Sequence, residues 1–66
     1  MALVVNDILE KITNSFYQGE KFRIVKLKNL NGKVHASIVN INDETSEFVV
    51  ALSVLEDQKR FKVVEN

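Results

Sequence analysis

The sequence predicts an α+β fold, with an N-terminal amphipathic helix packed on a four-stranded antiparallel meander. Three observations predict it. Two good helix caps, Asn6 and Asp7, stand ahead of apolar residues at helical spacing. The dipeptide Asn31-Gly32 lies between two long runs of strand-forming residues, and two further apolar runs follow over 47–55 and 60–65. The elements are therefore a helix over about 6–18 and strands over about 21–30, 33–41, 47–55 and 60–65, in one domain covering 1–66.

The helix comes first. Asp7 with Glu10 three residues later resembles a capping box. Ile8, Leu9, Ile12 and Phe16 follow an i, i+1, i+4, i+8 stripe, with Glu10, Lys11 and Asn14 on the wet side and Gly19 as the C-terminal stop. Thr13, Asn14 and Ser15 are mediocre helix formers, so the helix needs the sheet beneath its stripe.

Asn-Gly is the strongest short hairpin signal, because a two-residue type I′ turn needs positive φ at both positions. Leu30 then faces Lys33, and the rungs behind it are Lys28/His35, Lys26/Ser37, Ile24/Val39 and Phe22/Ile41. The opposite face carries Asn29/Val34, Leu27/Ala36, Val25/Ile38, Arg23/Asn40 and Lys21/Asn42. One face is thus apolar far from the turn and basic near it, while the other is apolar near the turn and polar far from it. Two separate apolar patches result, each needing a cover. The helix is available for one. The second, Val25, Leu27, Val34, Ala36 and Ile38, is the candidate oligomer or partner interface, since five exposed apolar side chains together are unusual on a monomer. The face switches at Ile24-Val25 and Ile38-Val39 are also what a bulge or sharp bend in a barrel strand writes into a sequence. In this respect the chain resembles the small bent-strand barrels of the SH3-like and Sm-like kinds, the alternative architecture, although no signature motif of either matches and the likeness implies no function.

In 47–55, Phe48, Val50, Leu52 and Val54 alternate with Val49, Ala51, Ser53 and Leu55, the pattern of a central or doubly covered strand. Glu56-Asp57-Gln58-Lys59 reads as a turn into the closing strand, with Val54 opposite Phe61 and Leu52 opposite Val63. There is no proline, repeat or low-complexity tract to mark a linker.

A chain of 66 residues is near the lower end of what folds alone, and a core this size rarely supplies more than ~3–5 kcal/mol. Cysteine is absent and His35 is the one histidine, which excludes disulfides and thiolate or multi-histidine zinc sites. Oligomerisation remains as the staple. The lack of cysteine fits a reducing cytoplasm. The apolar start, Met1 to Val5, is too short for a signal peptide or a membrane span, so no membrane partner is expected. Compact accessory proteins of phages and mobile elements take this form.

Nine basic and nine acidic residues cancel, but the signs are segregated. From Glu20 to His35 five positive residues (Lys21, Arg23, Lys26, Lys28, Lys33) stand against one negative, and from Asn42 to Asp57 there are five acids (Asp43, Glu44, Glu47, Glu56, Asp57) and no base. Neutralisation within the fold is the default, with a second copy or separate partners as the other outlets.

The chain carries little chemical equipment. It has no cysteine, no glycine-rich phosphate loop and no nucleophile elbow, and His35 is expected opposite Lys28 with no orienting carboxylate. No catalytic residue and no cofactor are expected. Asn40, Asn42, Asp43 and Glu44 bear oxygens at short spacing, but the EF-hand pattern is absent and a solvated turn is the ordinary explanation. No metal site is expected. Phe16 and Tyr17 end the helix, Tyr17 as a boundary residue on the sheet edge.

The sharper candidate is the basic patch of Lys26, Lys28, Lys33 and His35 near the hairpin tip. A two-stranded ribbon bearing cations suits phosphate backbones, though the patch has neither arginine nor an aromatic ring for base readout or stacking. Lysines on strands also serve simply to keep sheets apart. The sequence thus points to a small non-enzymatic protein-interaction or regulatory module acting as a homodimer and contacting another protein. A nucleic-acid-binding domain built on the lysine hairpin is the alternative.

Overall fold

In the computed structural model, which describes residues 3–13 and 19–65, the chain forms a five-stranded antiparallel sheet with one short helix. The strands are β1 (Ile8–Lys11), β2 (Lys21–Leu30), β3 (Lys33–Asn40), β4 (Asp43–Ala51) and β5 (Phe61–Glu65), and helix α1 (Leu52–Leu55) connects the last two. The sheet order is β4-β3-β2-β1-β5, so β4 and β5 are its edges.

The N-terminal helix is overturned. Residues 8–11 form a strand bonded on one side to β2, with Leu9 opposite Phe22, and on the other to β5, with Leu9 opposite Val63. Phe16 and Tyr17 lie outside the described residues. Sheet pairing wins because a run with Ile8, Ile12 and Thr13 has modest helix propensity, while two neighbouring strands satisfy its backbone on both sides. Leu9 becomes fully buried between them. The supposed capping residues bond elsewhere. The Asp7 carboxylate accepts the Val4 N–H at 2.9 Å, and Glu10 accepts the Gly19 N–H at 3.3 Å. Gly19 is not a helix stop but a close-approach residue, for a β-carbon there would collide with the Lys11 carbonyl.

The expected hairpin of 47–55 with 60–65 is corrected as well. β4 begins at Asp43 and ends at Ala51, Leu52–Leu55 coil into a single helical turn, and β5 pairs with β1 instead. A run that is apolar on both faces does not distinguish a buried strand from a buried helical turn. Here Leu55 is buried by coiling over the core face, where α1 packs against β3, β4 and β5. The chain then turns at Asp57, whose carbonyl accepts the N–H groups of Arg60 and Phe61, and enters the far edge of the sheet.

The Asn31-Gly32 hairpin forms with φ of 54° and 86° at its two turn residues, and the Asn29 side chain accepts the Gly32 N–H. Leu30/Lys33, Lys28/His35 and Lys26/Ser37 pair as the turn dictates. Beyond Lys26 the register shifts. Ile24 pairs with Ile38 rather than Val39, and Phe22 with Asn40 rather than Ile41, because Val25 bulges out without a partner. One extra residue reverses the alternation. Phe22, Ile24 and Leu27 therefore share a face with Ala36 and Ile38, and the two apolar patches merge into one. That face holds the core of Leu3, Leu9, Ile24, Ala36, Ile38 and Leu55, to which Phe22 and Phe61 add an edge-to-face ring contact at 6.4 Å.

On the other face Ser37 and Val39 are also buried, so β3 is covered on both sides from Ala36 to Val39. Arg23, the cross-strand partner of Val39, reaches over β3 to an ion pair with Glu44, and its aliphatic stem helps shield that face. The Ser37 hydroxyl is buried with no hydrogen-bond partner among the described residues.

Candidate interaction surfaces

Three surfaces remain after the core is assigned. The first is the free end of the β2–β3 ribbon. β1 pairs with β2 only as far as Arg23, and β4 pairs with β3 only as far as His35, opposite Ala51. The tip from Asn29 to Val34 therefore projects as two strands with exposed side chains, Lys28 standing exposed at its base. Antiparallel partners share a face, so the register brings Lys26, Lys28, Lys33 and His35 together, with Leu30 and Ser37. Their neighbours on β4 are Val49, opposite Ser37, and Ala51, opposite His35, and neither is acidic. Both arginines and Lys62 sit against carboxylates (Arg23 with Glu44, Arg60 with Asp57, Lys62 with Glu10), whereas no ion pair among the described residues involves Lys26, Lys28 or Lys33. Among the described residues only the Arg23–Glu44 pair links the basic segment to the acidic one, so neutralisation between them is slight. His35 Nδ1 lies 3.0 Å from the Lys33 carbonyl oxygen. Among the described residues no carboxylate is bonded to the ring.

The second surface is β4. The sequence pattern suggests a central strand, but β4 is an edge. Phe48 is 51% exposed and Val49 48% exposed, on opposite faces. Phe48 lies on the core face opposite Ile38, extending the row of Ile24 and Ile38 out to the open margin of the sheet. The row ends there in solvent. A period-two pattern gives the faces of a strand and not its place in the sheet, which is why β4 was not legible as an edge.

The third is an open cleft of about 550 Å³ between α1 and β5. Leu3, Leu55, Phe61 and Val63 give it an apolar floor, and Glu56, Gln58 and Lys62 line its mouth.

The proposed interface residues are dispersed. Ala36 and Ile38 are buried in the chain's own core, Leu27 packs against it, Val25 is half-buried at the bulge, and Val34 alone is exposed. Ala36 and Ile38 are buried in one cluster with Leu9 and Leu55 of the same chain, and α1 packs against β3. Around Asn42 the oxygens are engaged locally. The Asp43 carboxylate accepts the Thr45 hydroxyl at 2.5 Å, the Thr45 N–H at 3.2 Å and the Ser46 hydroxyl at 3.2 Å. Asn40 donates to Glu20 and accepts the Asn42 N–H, each at 2.8 Å. The three bonds to Asp43, the Thr45 hydroxyl foremost, hold its carboxyl below the usual carboxylate value of 3.8. Among the described residues no group of three or more His, Cys, Asp or Glu is placed to hold a metal ion. No helix among them is long and apolar enough to cross a membrane.

No family model matches this chain, and no match was found among curated proteins or solved structures.

Proposed function

We propose that this chain is a small protein-interaction module that acts as a homodimer, joined through the exposed edge of β4. The observation that carries the reading is the half-exposed pair Phe48 and Val49 on a nine-residue strand at the margin of the sheet. An edge strand presents unpaired backbone groups, and proteins ordinarily blunt such edges with charge, proline or a covering element. The segment Phe48–Ala51 has none of these blunting side chains.

A two-fold antiparallel pairing centred on Val49 fits the charges as well as the backbone. It sets Glu47 opposite Ala51 of the partner subunit and Phe48 opposite Val50 of the partner subunit, so acids avoid acids. The core row ending at Phe48 is continued by apolar surface. Such isologous contacts are the commonest closed assemblies, and a small core gains most from them. No catalytic role is assigned, and the missing cysteines suit a cytoplasmic setting.

Light scattering coupled to size exclusion tests the reading. The wild-type chain is expected at twice its 7.5 kDa mass, and Val49→Lys, which places an ammonium group at the centre of the pairing, is expected at the single mass with an unchanged circular dichroism spectrum. A wild-type monomer at high concentration, or a Val49→Lys dimer, would remove the β4 edge as the joint.

A further inference from the structure

We infer that the free end of the β2–β3 ribbon is a contact site for the phosphate backbone of duplex DNA, binding without sequence preference. This site is independent of the β4 edge, since none of its charged residues lies on β4.

The geometry is that of a groove reader. Among the described residues the ribbon has no third strand beside it past the His35–Ala51 pair. That two-stranded end, which carries Lys33, is narrow enough to enter the major groove, while Lys28 and Lys26 stand on the rungs behind it, where β4 still lies beside β3. Its cations are confined to one face. Lys26 and Lys28 are alternate residues of β2, and Lys33 stands at the turn rung of the same face. From the Lys26 rung to the Lys33 rung the ribbon covers roughly 14 Å at ~3.4 Å per residue, a length over which a duplex carries about eight phosphates.

The charges are also available. Lys26, Lys28 and Lys33 make no ion pair among the described residues, and all three are exposed. The strand beside them offers Val49 and Ala51 rather than carboxylates. Net neutrality of the chain does not cancel this field. Glu44 is held by Arg23 and Asp43 by its own turn, and Glu47, which shares this face, stands opposite Val39, one same-face rung farther from the tip than the Lys26–Ser37 pair. At ordinary ionic strength, charges more than ~8–10 Å apart are largely screened from one another. Ammonium groups without guanidinium forks or aromatic rings bind phosphates and read no bases, which is why the expected binding is general.

Fluorescence anisotropy of the full chain with a labelled mixed-sequence DNA duplex is the test. Three phosphate contacts predict a log–log salt slope of about −2.7, which is a ~40-fold loss of affinity between roughly 50 and 200 mM salt. The triple variant Lys26→Gln, Lys28→Gln, Lys33→Gln is expected to lose at least tenfold in affinity and most of the salt slope, with its circular dichroism spectrum unchanged. Lys59→Gln, at the distant turn before β5, serves as the control and is expected to bind as wild type. Absence of binding, a slope near zero, or an equal loss in Lys59→Gln would overturn the site. So would lysine-dependent binding to phosphatidylserine vesicles with none to DNA, or tighter binding to single strands than to the duplex. Val49→Lys separates this site from the dimer reading, because a monomer of that variant that still shows the lysine-dependent slope supports the site on its own.

Discussion

Ile24 and Leu27 stand three residues apart on β2 and point to the same face of the sheet. In an unbroken strand such residues face opposite sides. The unpaired Val25 between them supplies the missing step, and with it the single core of this protein.

Deleting Val25 leaves Ile24 and Leu27 two residues apart, so an ordinary strand then keeps Phe22, Ile24 and Leu27 on the core face, Ile24 still opposite Ile38 and Arg23 on the other side. The deletion is expected to stay folded, giving up only the local bend and twist that the bulge adds. Val25→Ala keeps the bulge and is expected to remain folded, with a loss of about 1 kcal/mol. Circular dichroism and urea unfolding of the two variants check this, and an unfolded deletion would show that the bend itself, and not only the facing it sets, is required.

The two glycines are expected to respond differently to alanine. At Gly32 there is open space around the missing β-carbon, but φ is +86°, so Gly32→Ala is expected to lose about 1–2 kcal/mol through backbone strain alone. At Gly19 the obstacle is the Lys11 carbonyl, which belongs to β1 and is held in place by the 2.8 Å bond from Lys11 N–H to the Glu20 carbonyl. Gly19→Ala is expected to be the more harmful of the two, parting β1 from β2. Urea midpoints rank them, and the reverse order would contradict the close approach.

Asp43 sets a pH dependence. Its carboxyl lies below the usual 3.8 through bonds from the Thr45 hydroxyl, the Thr45 N–H and the Ser46 hydroxyl. Folding thus favours the ionised form, so the contribution is fully present above pH 3.8 and is lost as pH falls through the depressed folded value. Asp43→Asn is expected to remove this acid-sensitive part and to lower stability near neutral pH slightly, the turn being solvent-exposed. A carboxyl-carbon NMR titration of Asp43 gives the direct check, and a midpoint at or above the unfolded value would contradict it.

The legible parts of the fold are those written in neighbouring residues. Asn31-Gly32 specified its turn and the five rungs next to it, because the φ values and the strand alternation are local consequences of those residues. The same rungs placed Lys26, Lys28, Lys33 and His35 on one face. Legibility stopped at Val25. The double switch of apolar faces around Ile24 and Ile38 was visible, but whether it marked two surfaces or one bulge depended on what packed above it. Asp7 to Ile12 suggested a helix because its spacing suits both periods, and the strands that would flank it came later in the chain.

By itself, then, the amino-acid sequence determined the hairpin, its tip register, the antiparallel character of the sheet and the segregation of charge. Each follows from torsional preference or side-chain alternation within a few residues. Only the tertiary structure decided that 8–11 is a strand between β2 and β5, that 52–55 coils over the core, and that β4 is left at the margin with Phe48 and Val49 exposed. Those outcomes depend on backbone hydrogen bonds and apolar burial between residues far apart in the chain, where local propensities of a few tenths of a kcal/mol per residue are outweighed.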